Sequence, residues 1–84
     1  MSSLRSELYL RIIELLVQAR KDAGITQVEL GKRLGRRQTF VSKFELGERR
    51  LDVAEFMAVS RAIGADPHEI IQTAEGEERG AARH

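Results

Sequence analysis

Glycine closes an apolar-patterned stretch four times in this chain, at Gly24, Gly35, Gly47 and Gly64, and the stretches between leave room only for short helices. Within each stretch Leu, Ile, Val, Phe or Ala recur at steps of three and four, the spacing of one helix face. Glycine is the residue that most readily ends such a helix. No segment alternates apolar and polar residues over enough positions to argue for a strand. The expected fold class is therefore all-α, with five helices.

Leu4, Leu8, Ile12, Leu15, Leu16, Ala19 and Ala23 place one apolar face on a first helix of about residues 3 to 23, and Leu10, Ile13 and Val17 widen that face. Thr26 and Glu29 have the spacing of a capping box, so a second helix opens at Gln27, with Val28, Leu30 and Leu34 as its apolar positions and Gly35 as its stop. The small Gly31 is expected to face a neighbour at close range. After about three residues, Val41 and Phe44 make the inward face of a third helix, Gln38 to about Leu46. Asp52 and Glu55 form a second box opening a fourth helix, with Val53, Phe56, Met57, Ser60 and Ile63 inward. Asp66, Pro67 and Glu69 mark the start of a fifth, which carries Ile70 and Ile71. From Glu75 the chain reads EGEERGAARH, with no large apolar residue. Residues 1–74 are thus expected to form one domain and 75–84 a disordered tail.

The 84 residues suffice for one modest core. Without cysteine there is neither a disulfide framework nor a thiolate zinc site, and His68 and His84 are too few for a histidine metal cluster. No metal and no cofactor are expected. No apolar run approaches the roughly 20 residues that span a bilayer, so a cytoplasmic chain with no membrane partner is the expectation. The formal net charge of +1 hides a division along the chain. Residues 20–50 hold Arg20, Lys21, Lys32, Arg33, Arg36, Arg37, Lys43, Arg49 and Arg50 against Asp22, Glu29, Glu45 and Glu48, whereas the residues after 50 are net acidic. Such a basic middle fits either one polyanion-binding face or a solvated mixed-charge surface.

Two short helices joined by a tight turn fit a purely structural hairpin as well as a binding unit. The string from Gly24, GITQVELGKRLGRRQTFVSKFELGERRLDV, resembles the phage repressor and Cro-like (XRE) family of helix-turn-helix regulators. The elements that carry the resemblance are Thr26-Gln27, Glu29-Leu30, Gly31, Leu34, Gly35, Gln38 and Glu45-Leu46-Gly47, and it extends over about residues 8 to 72. It implies a lambda-repressor-like DNA-binding domain, with the helix-turn-helix at helices 2 and 3, and a transcriptional regulator acting on double-stranded DNA. It further implies a phosphate contact for Gln27 and an ion pair between Arg20 and Glu45 that ties helix 1 to the end of helix 3.

The residue chemistry agrees with that reading. A helix that enters the major groove needs polar donors near its N-terminus on one face while the other face holds the domain together. Gln38, Thr39, Ser42 and Lys43 are the candidate base readers: Gln can bond adenine N6 and N7, Lys can donate to guanine O6 and N7, and Thr can touch a thymine methyl. Arg36, Arg37, Arg49 and Arg50 flank the helix as candidate phosphate contacts. Phe40, four residues before Phe44, fits either the core or the groove side. Catalysis is not expected, because no nucleophile–base pair, phosphate loop or carboxylate pair is present. A protein-interaction module such as an antitoxin is the competing reading. A domain of this size gains affinity by pairing, so a homodimer repressor on a palindromic operator is expected, joined through Ile70 and Ile71. No small-molecule effector is evident.

Overall fold

The computed structural model describes the backbone of residues 3–82 and the side chains of residues 7–77, so Leu4 and His84, read above from the sequence, lie outside the described side chains. Among the described residues there are five helices and no strand: α1 (Ser3–Asp22), α2 (Gln27–Leu34), α3 (Gln38–Glu45), α4 (Val53–Ile63) and α5 (Pro67–Ala82). α2 packs against α3 and α4, while α1 lies along α5 and also touches α3 and α4.

The two expected capping boxes differ in outcome. At α4 both halves form: Asp52 Oδ1 accepts from Glu55 N, and Glu55 Oε1 accepts from Asp52 N. At α2 only the first half does, with Thr26 Oγ1 accepting from Glu29 N at 3.0 Å. The Glu29 carboxylate turns instead to Arg33, one turn along the same exposed face. α3 starts without a side-chain cap, because Arg37 stands at the cap position and offers no acceptor. It ends one residue before Leu46, which is 72% exposed.

The core gathers Ile13 and Leu16 from α1, Ile25, Leu30 from α2, Phe40, Val41 and Phe44 from α3, Val59 and Ile63 from α4, and Ile70 from α5. Two inward assignments read from the sequence are corrected here. Val28 is 47% exposed and Val53 77% exposed, while Val59, further along α4, is fully buried. Each of those two valines sits in the first turn of its helix, where the chain has only just turned toward the core. On α1 the most buried positions are Ile13, Leu16 and Arg20, with Ile12, Leu15 and Ala19 of the expected face packed beside them against the core.

α5 continues through Glu75 to Ala82, and Ala74 is buried against the rest of the chain. Ala, Glu and Arg dominate this stretch and favour helix, which outweighs the two glycines. Glu77 accepts from Arg11 Nε and Nη2, fastening the extended part of α5 to α1.

Candidate nucleic-acid interface

The turn between α2 and α3 owes its tightness to two glycines. Gly35 sits at φ 67°, in the left-handed region that penalises a side chain. At Gly31 a Cβ would lie 2.9 Å from the backbone oxygen of Arg36, closer than a real Cβ approaches. Arg36 N donates to Gly31 O at 2.8 Å and closes the same turn. The close neighbour expected for Gly31 is thus the backbone leading into α3.

Val41 and Phe44 anchor α3 with no exposed surface, and Phe40 joins them at 8% exposure, its ring centroid 5.7 Å from that of Phe44. Phe40 is therefore a core residue, which closes the alternative left open by its spacing. Its outer face is covered by two guanidinium groups, Arg36 at 4.0 Å and Arg49 at 4.8 Å from the ring centroid. With one side so fixed, Gln38, Thr39 and Lys43 are exposed on the opposite side, and Ser42 is half-buried with its hydroxyl donating to Thr39 O.

Arg20 and Glu45 form a forked ion pair: Arg20 Nε to Glu45 Oε2 at 2.7 Å and Nη2 to Oε1 at 3.0 Å, with side chains 10% and 8% exposed. Arg20 Nη1 also donates to Ile25 O at 2.8 Å, so one guanidinium fixes the end of α1, the loop that leads into α2 and the end of α3. Beyond the expected pair, a chain of amides leaves it. Gln27 Nε2 donates to Glu45 Oε1 at 2.9 Å, and Gln38 Nε2 donates to Gln27 Oε1 at 3.2 Å. The sequence identified all four residues but not their connection, which needs the α2–α3 crossing to bring Gln27 over Gln38.

The flanking arginines divide into two kinds. Arg49 donates through Nη1 and Nη2 to the two oxygens of Glu55, at 2.9 and 2.8 Å, and Arg36 Nη1 lies 3.8 Å from Glu55 Oε2. The Arg49 hydrogen bonds, with the backbone bond from Asp52, hold the Glu55 carboxyl down at about 2. The same contact raises Arg49 above its ordinary value. Arg50 stacks over the Tyr9 ring at 4.2 Å, while the Tyr9 hydroxyl accepts from Leu51 N. Arg37 and Lys43 are exposed and make no ion pair among the described residues. No helical spacing announces the Arg36–Phe40 stack, because Arg36 lies in the turn before α3; the link from Arg49 to Glu55 is equally hard to see, because Glu55 is already used as a cap.

The residues expected at a subunit interface are separated by the fold. Ile70 is 8% exposed and belongs to the core of its own chain, whereas Ile71 is 39% exposed and lines an apolar groove with Tyr9, Ile12, Leu51, Val53 and Phe56. No group of three or more metal-binding side chains occurs among the described residues. Among those residues no helix is long and apolar enough to cross a membrane.

The Helix-turn-helix family profile matches residues 16–70, which spans α2, α3 and α4 with the buried end of α1 and the start of α5. An XRE-family like protein from Pseudomonas syringae pv. tomato str. DC3000 has a solved structure that superimposes with a TM-score of 0.88 at 49% identity, covering 90% of this chain and 93% of that one. No curated protein matches the chain. Family match, near full-length structural likeness and the exposed polar face of α3 agree: the chain belongs to the XRE family of helix-turn-helix proteins and is a DNA-binding transcription regulator.

Proposed function

We propose that this protein is a cytoplasmic repressor that binds a palindromic operator as a homodimer, each subunit laying α3 in the major groove. The observation that carries this reading is the division of α3 into a buried apolar side, Phe40, Val41 and Phe44, and an exposed side that presents Gln38, Thr39 and Lys43. In this reading Gln38, Thr39, Ser42 and Lys43 read bases, with Gln38 suited to adenine and Lys43 to guanine. Gln27, in the first turn of α2, meets phosphate with the help of the helix N-terminus. Arg37 and Arg50 supply phosphate charge directly. Arg36 and Arg49 contribute from guanidinium groups already held by Glu55 and Phe40. The protein acts by binding, without chemistry on the DNA.

The second copy seats on the groove around Ile71, Val53 and Phe56. Two recognition helices then lie about 34 Å apart, one turn of duplex. Selection from random duplex DNA tests the whole reading. The expected product is a palindrome bound by two subunits, with affinity falling roughly 10³- to 10⁵-fold between 50 and 200 mM salt for six to ten phosphate contacts. Monomer on enriched DNA would remove the dimer and keep the reader. Failure to enrich any sequence would overturn the operator reading in favour of a protein-interaction module.

A further inference from the structure

We infer that Glu45 is a positioning residue for base recognition: its buried carboxylate sets the direction of the Gln27–Gln38 amide chain and so decides which hydrogen-bonding groups Gln38 turns toward the DNA. The inference rests on the base-reading role given to Gln38 above and deepens it.

The argument starts from what each group can do. An ionised carboxylate only accepts hydrogen bonds, and a guanidinium only donates them. Glu45 is held as an acceptor by Arg20, and its Oε1 has Gln27 Nε2 at 2.9 Å. Gln27 must therefore spend its NH2 on Glu45, which turns its Oε1 toward Gln38. That oxygen in turn requires Gln38 to donate, as it does at 3.2 Å. Gln38 is left with its Oε1 and one N–H, an acceptor beside a donor. Adenine in the major groove offers the complement, the N6 donor beside the N7 acceptor, whereas guanine offers two acceptors, O6 and N7. An amide free to rotate could suit either base. The charge behind this one removes the choice.

Replacing the carboxylate by an amide of the same shape reverses the logic. In Glu45→Gln the oxygen stays with Arg20 Nε, while the new NH2 takes the place of Oε1, giving up the bond from Arg20 Nη2 and facing Gln27. Gln27 then accepts from residue 45 and donates to Gln38, whose own NH2 is released to present two donors, the pattern guanine accepts. Specificity should shift while the shape of the surface hardly changes.

The test uses the operator obtained by selection, with every position of one half-site substituted in turn. Kd is measured for the unaltered protein, Gln38→Ala, Glu45→Gln and Gln27→Ala, each first shown to be folded by circular dichroism. Gln38→Ala identifies the position it reads by abolishing the preference for A·T over G·C there. The expected result is that Glu45→Gln and Gln27→Ala lower that preference at the same position by about tenfold, equivalent to about 1.4 kcal/mol, with the other positions unchanged. Gln27→Ala weakens binding generally as well, so the ratio between bases is the readout. A loss of affinity that is uniform across all sequences, with the ratio kept, would show that Glu45 is only structural and would overturn the inference while base reading by Gln38 stands. If Gln38→Ala alters no position, base reading by Gln38 fails and the inference falls with it. Should Glu45→Gln not fold, Gln27→Ala decides alone, because it cuts the amide chain and leaves the Arg20–Glu45 pair in place.

Discussion

Glu45 and Glu55 both hold arginines beside α3, yet the two clusters differ in almost every physical respect. Glu45 is sealed between α1, α2 and α3, meets a single guanidinium in a fork, and hands its remaining acceptor capacity to Gln27. Glu55 sits in the first turn of α4 with its side chain 19% exposed, more open than Glu45, and there it accepts from Arg49 and from Asp52 N and lies near Arg36. The first cluster locks three helix ends together. The second restrains side chains that are otherwise free to swing. Burial makes the same chemistry a structural joint in one place and an adjustable surface in the other, because a buried charge without its partner is costly whereas an exposed one is taken up by water.

The sharpest way to break the comparison is to remove one partner from the sealed pair. Arg20→Met keeps an unbranched apolar stem and leaves the Glu45 carboxylate buried without a cation. The expected loss is about 3–5 kcal/mol, read as a lower urea midpoint with an unchanged slope. Next comes Phe40→Ala, which opens the core beneath the Arg36 and Arg49 guanidinium groups. Its expected cost is about 3 kcal/mol by the same measurement, the value of a truncated buried aromatic. A Phe40→Ala protein with unchanged stability would place that ring outside the core, contrary to its 8% exposure.

These two residues also show how far the sequence can be read. The Arg20–Glu45 pair is legible because the resemblance supplies both positions, and the helix-turn-helix itself follows from Thr26, Gly35 and the Val41–Phe44 spacing. Phe40 is not legible from spacing: an apolar residue at the edge of a helical stripe is buried only if something lies over it, and here that cover comes from two arginines, one of them beyond the end of α3. Ile70 and Ile71 pose the same problem on α5, where adjacent residues differ by about 100° around the helix axis and only packing decides which is inside. Gly31 is legible as a small residue at a close approach, but the identity of its neighbour, the Arg36 carbonyl, depends on the path of the turn. The link between Gln27 and Gln38 depends on helix crossing alone.

The surface cluster responds to pH. Glu55 has its carboxyl lowered from 4.5 to about 2, chiefly by Arg49 and then by the backbone N–H of Asp52. A folded-state value below the unfolded one means that the contribution is complete above the unfolded value and disappears as pH falls from about 4.5 to about 2. Glu55→Gln should therefore lower stability modestly at neutral pH and flatten this part of the acid limb, as followed by urea midpoints across that range. The decrease at neutral pH should be smaller than for Arg20→Met. An equal decrease would mean that the surface cluster is as tightly coupled to the fold as the sealed one.

The smallest effect is expected at the Arg11–Glu77 pair, where both partners are substantially exposed and the contact joins α1 to the last turns of α5. Arg11 lowers the Glu77 carboxyl and is itself raised by it, so the attraction is real, but water and salt screen it. Glu77→Ala removes one contact and substitutes the best helix former, two changes of opposite sign. The global urea midpoint should hardly move. What should change is local: amide exchange after residue 74 should speed up, because Ala74 is the last buried residue of α5 among those described and the ion pair lies beyond it. Unchanged exchange in Glu77→Ala would show that helix propensity alone holds those turns; exchange that speeds up throughout α5 would show that this exposed pair, like the sealed one at Glu45, supports the packing of an entire helix.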